Sequence, residues 1–129
     1  MSVYILPSIF TAIMIICGLM AWKMPLSWDA RGTGRWPCYE GKLAMQNEAM
    51  WYRAQSLYGK IQFSLGIFHA FLEIPEVAVL RLLLQHFENE DATIPAMCCL
   101  VLPAILLIIL GNIVTFFLLN SMDNQAKDL

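Results

Sequence analysis

Two apolar runs without a single charged residue limit what this chain can fold into. Val3 to Trp22 spans 20 residues and Pro95 to Leu119 spans 25. Coiled as helices, they reach about 30 Å or more, the thickness of a bilayer's hydrocarbon core. A third run, Ile61 to Leu84, is as long but carries His69, Glu73 and Glu76. The chain is 59% hydrophobic and 14% charged, with a mean hydropathy of +0.61. Soluble domains average roughly 45–50% apolar and 25% charged residues. The expected fold is all-α and integral to the membrane, one domain over 1–129. Three transmembrane helices are expected over about 3–22, 61–84 and 95–119.

Val3–Trp22 lacks the basic start of a cleaved signal peptide, since no Lys or Arg precedes Lys23, and it has full spanning length. It reads as a retained helix. The connection from Lys23 to Lys60 holds Lys23, Arg31, Arg35, Lys42, Arg53 and Lys60 against Asp29, Glu40 and Glu48. The connection from His86 to Ile94 holds Glu88, Glu90 and Asp91 with no cation. Basic residues collect on the cytoplasmic side. The expected location is therefore the cell membrane, multi-pass, with the N-terminus outside and the C-terminus cytoplasmic. A net charge of −2 gives no reason to expect nucleic acid as a partner.

From Lys42 to Lys60 the apolar positions Leu43, Met50, Ala54, Leu57 and Ile61 recur at helical spacing. With Trp51, Tyr52 and Tyr58 beside them, they predict an amphipathic helix over about 42–60 on the cytoplasmic surface, running into the second span with no breaker other than Gly59. Pro75 predicts a kink near Phe71–Leu72. In the third span Gly111 with Ala104 would allow close helix contact, and Asn112 could bond across to a neighbour. The tail Ser121–Leu129 reads as polar and frayed.

The second span holds the first candidate site. Gln62, Gly66, His69, Glu73 and Glu76 share one side of a helix, within an arc of roughly 80°. Charge in hydrocarbon costs a few kcal/mol per group, so such a stripe turns toward protein or water and marks function. His69 and Glu73 stand one turn apart and can pair, whereas Glu73 and Glu76 repel if both are ionised. Burial and a neighbouring carboxylate both disfavour the charged form, so one shared proton is the expected state. Gln62, His69, Glu73 and Glu76 form the predicted intramembrane polar site.

No catalytic set is expected, because Ser64 lies off the His69 face and no nucleophile–base pair stands out. Gly32-Thr-Gly34 lacks the spacing of a phosphate loop. Cys17, Cys38, Cys98 and Cys99 have no zinc-ligand spacing. Neither a metal nor a cofactor is expected.

The second candidate row is Asn47, Trp51, Gln55 and Gly59. The stretch from Tyr39 to Lys60 resembles the signature of SdpI-type small bacterial membrane proteins. Members carry a G-[YI]-R-T loop, then an Asn, a Trp four residues on, an Ala-Asn pair and a Gly before the next span. Tyr39, Asn47, Trp51, Ala54 and Gly59 stand at matching spacings, with Gln55 in place of the Asn. Cys38, Glu40 and Gly41 depart from the loop's Gly, Arg and Thr. The resemblance implies a membrane protein of immunity against a secreted peptide toxin, sometimes coupled to capture of a repressor.

Three functional readings follow for a chain whose first partner is the lipid bilayer. The first is an immunity or receptor-like protein that recognises a protein or peptide through the polar stripe and the cytoplasmic helix. The second is a proton- or cation-coupled transporter or channel subunit using Glu73, which with three helices would work as a homo-oligomer. The third is an accessory subunit of a larger membrane complex. An enzyme, in the form of a small membrane-embedded transferase, ranks last: that group has four spans and an Arg-rich entry to its second helix.

Overall fold

The computed structural model describes residues 5–86 and 93–127. These form α1 (Leu6–Lys23), a 3-10 turn (Trp28–Ala30), α2 (Glu48–His86) and α3 (Thr93–Lys127), with no strand among the described residues. Val3, Tyr4, the acidic residues Glu88, Glu90 and Asp91, and the last two residues lie outside them.

Pro7 sits in the first turn of α1, where its missing N–H has no intrahelical partner to lose, and Lys23 faces the negative end of the helix. Asn47 starts α2: its Oδ1 accepts the Met50 N–H at 2.9 Å, a side-chain cap for an orphan donor. The helix expected over 42–60 is not a separate element. Residues 42–46 form a turn, and from Glu48 one helix of 39 residues, about 58 Å long, runs through the expected second span. Gly59 does not break it, because α1 packs directly on that glycine. A Cβ there would stand 2.7 Å from Trp22 Cα, and one on Gly18 would stand 2.8 Å from Phe63 Cα. The two glycines let the backbones of α1 and α2 meet. α2 also continues through Pro75.

α1 and α2 run antiparallel, with Ser8 beside Glu73 at one end and Trp22 beside Gly59 at the other. α3 runs antiparallel to α2, with Ile108 beside Gln62, and Cys99 and Pro103 beside Glu76. The tail expected to fray is helical to Lys127, whose Nζ meets Asp123 one turn back at 2.6 Å. Asn112 does not reach across to a neighbour; its Nδ2 donates to Ile108 O within α3 at 2.9 Å.

By length and composition one helix can cross a membrane: Val101–Lys127, with mean hydropathy 2.6. The apolar part of α1, Pro7–Lys23, is shorter, and α2 carries its ionisable stripe within the expected span. Only 22% of the α3 window is buried within the chain, so its apolar surface faces outward. α2 is likewise inverted relative to a water-soluble bundle. Gln62 and His69 are buried, while Phe71, Ile74 and Leu82 are 71%, 75% and 67% exposed.

Candidate functional site

The stripe on α2 is turned against α1. His69 is fully buried, and its Nδ1 lies 2.7 Å from the hydroxyl of Thr11. The same hydroxyl donates to Glu73 Oε1 through a short hydrogen bond, and Ser8 Oγ donates to Glu73 Oε2 at 3.0 Å. On the other side of the ring, Nε2 stands 3.6 Å from Glu76 Oε1. His69 and Glu73, expected to pair along the helix, are thus joined through a side chain of α1. Gln62 stands apart from the other three. Its Nε2 donates to Ile108 O at 3.2 Å, in a space kept open by Gly111 of α3.

Ser8 and Thr11 were not among the expected site residues. Ser8, Thr11, Ile15, Gly18 and Trp22 fall at spacings of three and four on one face of α1, the face that meets α2. That spacing was a readable signal.

Hydrogen-bond capacity fixes how protons are arranged. A hydroxyl has one proton to give. When Thr11 gives it to Glu73, Nδ1 of His69 must be the donor toward Thr11, and Nε2 of a neutral ring is left bare. His69 Nε2 and Glu76 Oε2 are both buried without a hydrogen-bond partner among the described residues. Buried polar atoms in that condition are uncommon, and each calls for an explanation.

Glu73 and Glu76 open onto different grooves. One, of 720 Å³, is walled by Ala70, Glu73, Ile74, Val77, Arg81 and Leu82 among others, all on α2. A second, of 330 Å³, is walled by Leu72, Pro75, Glu76, Val79 and Leu80, with Cys99 and Pro103 of α3. At about 100° per residue, the two sets of α2 residues point to nearly opposite faces of the helix.

The row Asn47, Trp51, Gln55 and Gly59 lies at the other end of α2 and anchors the preceding loop. Trp51 is fully buried, its Nε1 donates to Leu26 O at 2.8 Å, and Trp28 packs edge-on at 6.2 Å. Gln55, also fully buried, pairs with both backbone groups of Tyr39: it accepts from the N–H at 2.9 Å and donates to the C=O at 2.8 Å. Tyr39 in turn packs on Tyr58 at 5.8 Å. Beside this cluster, burial pushes the Cys38 thiol up to about 11, helped by the charge of Glu40 and a hydrogen bond to it. The thiol also donates to Arg35 O at 2.6 Å. Among the described residues no group of three or more His, Cys, Asp and Glu is placed to hold a metal ion.

Comparison with protein families, with curated proteins and with solved structures finds no match to this chain.

Proposed function

We propose that this chain is a three-span membrane protein, N-terminus outside, which takes up a proton or small monovalent cation at Glu73. It would act as a transporter or channel subunit and work as a homo-oligomer. The inverted exposure of α2 and the outward apolar surface of α3 support the membrane reading. Exposed side chains such as Phe71, Ile74 and Leu106 belong against acyl chains rather than water. In this arrangement Glu73 sits midway along the span 61–84, where an unused charge is costly.

The observation that carries the cation reading is the set of oxygens around Glu73. Both carboxylate oxygens accept from hydroxyls of α1, and the carboxylate borders an open groove. One carboxylate and two hydroxyls are oxygen ligands of the kind hard cations select. The test is reconstitution into vesicles with a pH-sensitive dye inside. Glu73→Gln is expected to abolish proton or cation uptake shown by the wild type. A wild-type protein that moves neither, in any oligomeric state, overturns the reading.

A second reading, immunity or receptor-like recognition of a secreted peptide, is favoured by one observation. Tyr39, Trp51 and Ala54, which carry the resemblance to the SdpI-type family, converge in a single buried cluster. They behave as one structural unit, as a family signature should. The stripe itself suits this reading less well, because Gln62 and His69 are too buried to meet a partner. Expression in a sensitive bacterium challenged with a panel of peptide toxins tests it, and unchanged killing counts against it.

A further inference from the structure

The cation reading leaves His69 and Glu76 without a task, and the orphan Nε2 of His69 faces the Glu76 carboxyl group. Glu73, Thr11, His69 and Glu76 nevertheless form a sequence of groups from one groove to the other, each within 3.6 Å of the next. We propose that this sequence is a proton relay across α2. In it Glu73 and Glu76 share one proton through the Thr11 hydroxyl and the His69 ring, so that a cation entering at Glu73 sends the proton to Glu76. The inference rests on the cation site proposed at Glu73 and adds its coupling partner.

The relay balances in both directions. With the proton on Glu73, its carboxylic O–H donates to Thr11 Oγ1, Thr11 donates to His69 Nδ1, and His69 Nε2–H points at an ionised Glu76. Three transfers reverse the chain. Glu73 gives its proton to the Thr11 oxygen, Thr11 gives its own to Nδ1, and Nε2 releases its proton to Glu76. Glu73 is then ionised and accepts from Thr11, Nδ1 carries the ring proton, and Glu76 is the neutral acid. Net charge is the same in both states, and no proton enters or leaves.

The contacts Glu73–Thr11–His69 are the ones both states use, because the same three atoms pair whichever way the protons run, and Ser8 donates to the other Glu73 oxygen in either state. The 3.6 Å gap between Nε2 and Glu76 is the single link longer than a hydrogen bond. A rotation of the Glu76 side chain toward Nε2 has to close it. The full burial of His69 keeps water from short-circuiting the ring. Around the chain, α1 contributes the hydroxyls of Ser8 and Thr11, α2 contributes Arg81 beside the Glu73 groove, and α3 contributes the Cys99 thiol beside the Glu76 groove. A cation arriving at Glu73 favours its ionised form, and the relay gives the displaced proton a destination other than water.

Infrared difference spectroscopy of the full chain in lipid nanodiscs tests this, with sodium exchanged for N-methylglucamine and the protonated-carboxyl C=O band as readout. Glu73→Gln and Glu76→Gln assign the band positions of the two acids. In the wild type, sodium is expected to move the band from the Glu73 position to the Glu76 position without loss of amplitude. Thr11→Val keeps the side-chain shape and removes the bridge, so sodium should now erase the band as the proton leaves for water. Thr11→Ser should restore the shift. A wild-type band that is absent or does not respond to sodium overturns the relay, as does a Thr11→Val protein that shifts like the wild type. Sodium binding that survives Glu73→Gln would instead defeat the cation site itself.

Discussion

The two ends of α2 treat buried polar groups in opposite ways. Near Gln55 each polar group has a partner: an amide side chain meets a backbone N–H and C=O, and an indole N–H meets a carbonyl. All the side chains involved are neutral. Near His69 the groups are ionisable, one hydroxyl bridges a carboxyl group and an imidazole, and two buried atoms have no hydrogen bond among the described residues. A fully paired neutral network fixes a structure, whereas an incompletely paired ionisable one can exist in more than one protonation state. The first end therefore reads as the anchor of the loop, and the second as the place the proposed proton and cation exchange would use.

Substitutions at the paired end should produce the largest losses of stability. Trp51→Ala removes a fully buried ring and its bond to Leu26, and is expected to cost about 3–5 kcal/mol. Denaturant titration of the detergent-solubilised protein, followed by circular dichroism, measures it. A loss under about 1 kcal/mol would mean that this end is not the anchor. Gln55→Leu should cost about 1–3 kcal/mol for each Tyr39 backbone group left unpaired. Hydrogen exchange at the Tyr39 amide should accelerate in parallel.

At the unpaired end the same experiment should give a small effect of either sign. Glu76→Gln keeps the side-chain shape and breaks no observed hydrogen bond, so stability should change by no more than about 1 kcal/mol. A loss as large as that of Gln55→Leu would erase the contrast between the two ends.

The sequence made the all-helical fold, the three long helical segments and the Gln62–Glu76 stripe legible, because charge-free runs and a helical period are local properties. It ran the 42–60 segment into the second span but left Gly59 as a candidate break between them. Gly59 reads as a breaker in isolation, and only the close packing of α1 makes it an unbroken part of α2. Nor did it show Thr11 as the link between His69 and Glu73, since that contact joins residues 58 and 62 positions apart. The division of the stripe, with Gln62 bound to α3, His69 and Glu73 bound to α1, and Glu76 beside α3, has the same origin. Which neighbour a helical face meets depends on tertiary packing, which spacing along one helix does not encode.

The proposed topology puts the loop before α2 in the cytoplasm, and Cys38 tests it. A thiol raised to about 11 from its ordinary 9.0 holds little thiolate at pH 8, about one part in a thousand against about one in ten. Slow labelling by a membrane-impermeant maleimide in intact cells is therefore ambiguous by itself, because chemistry and location both suppress it. Permeabilised cells separate the two. In a Cys17→Ala, Cys98→Ala, Cys99→Ala background, labelling after permeabilisation should rise about tenfold per pH unit from pH 7 to 9, as it must while a thiol titrates well above the working pH. Glu40→Gln removes the charge that helps hold the proton and leaves only a neutral acceptor for the thiol, so it should speed labelling at every pH in that range. Intact cells should stay unlabelled in both proteins. If Glu40→Gln labels readily without permeabilisation, the loop faces outward, the membrane orientation reverses, and the groove beside Glu73 opens toward the cytoplasm.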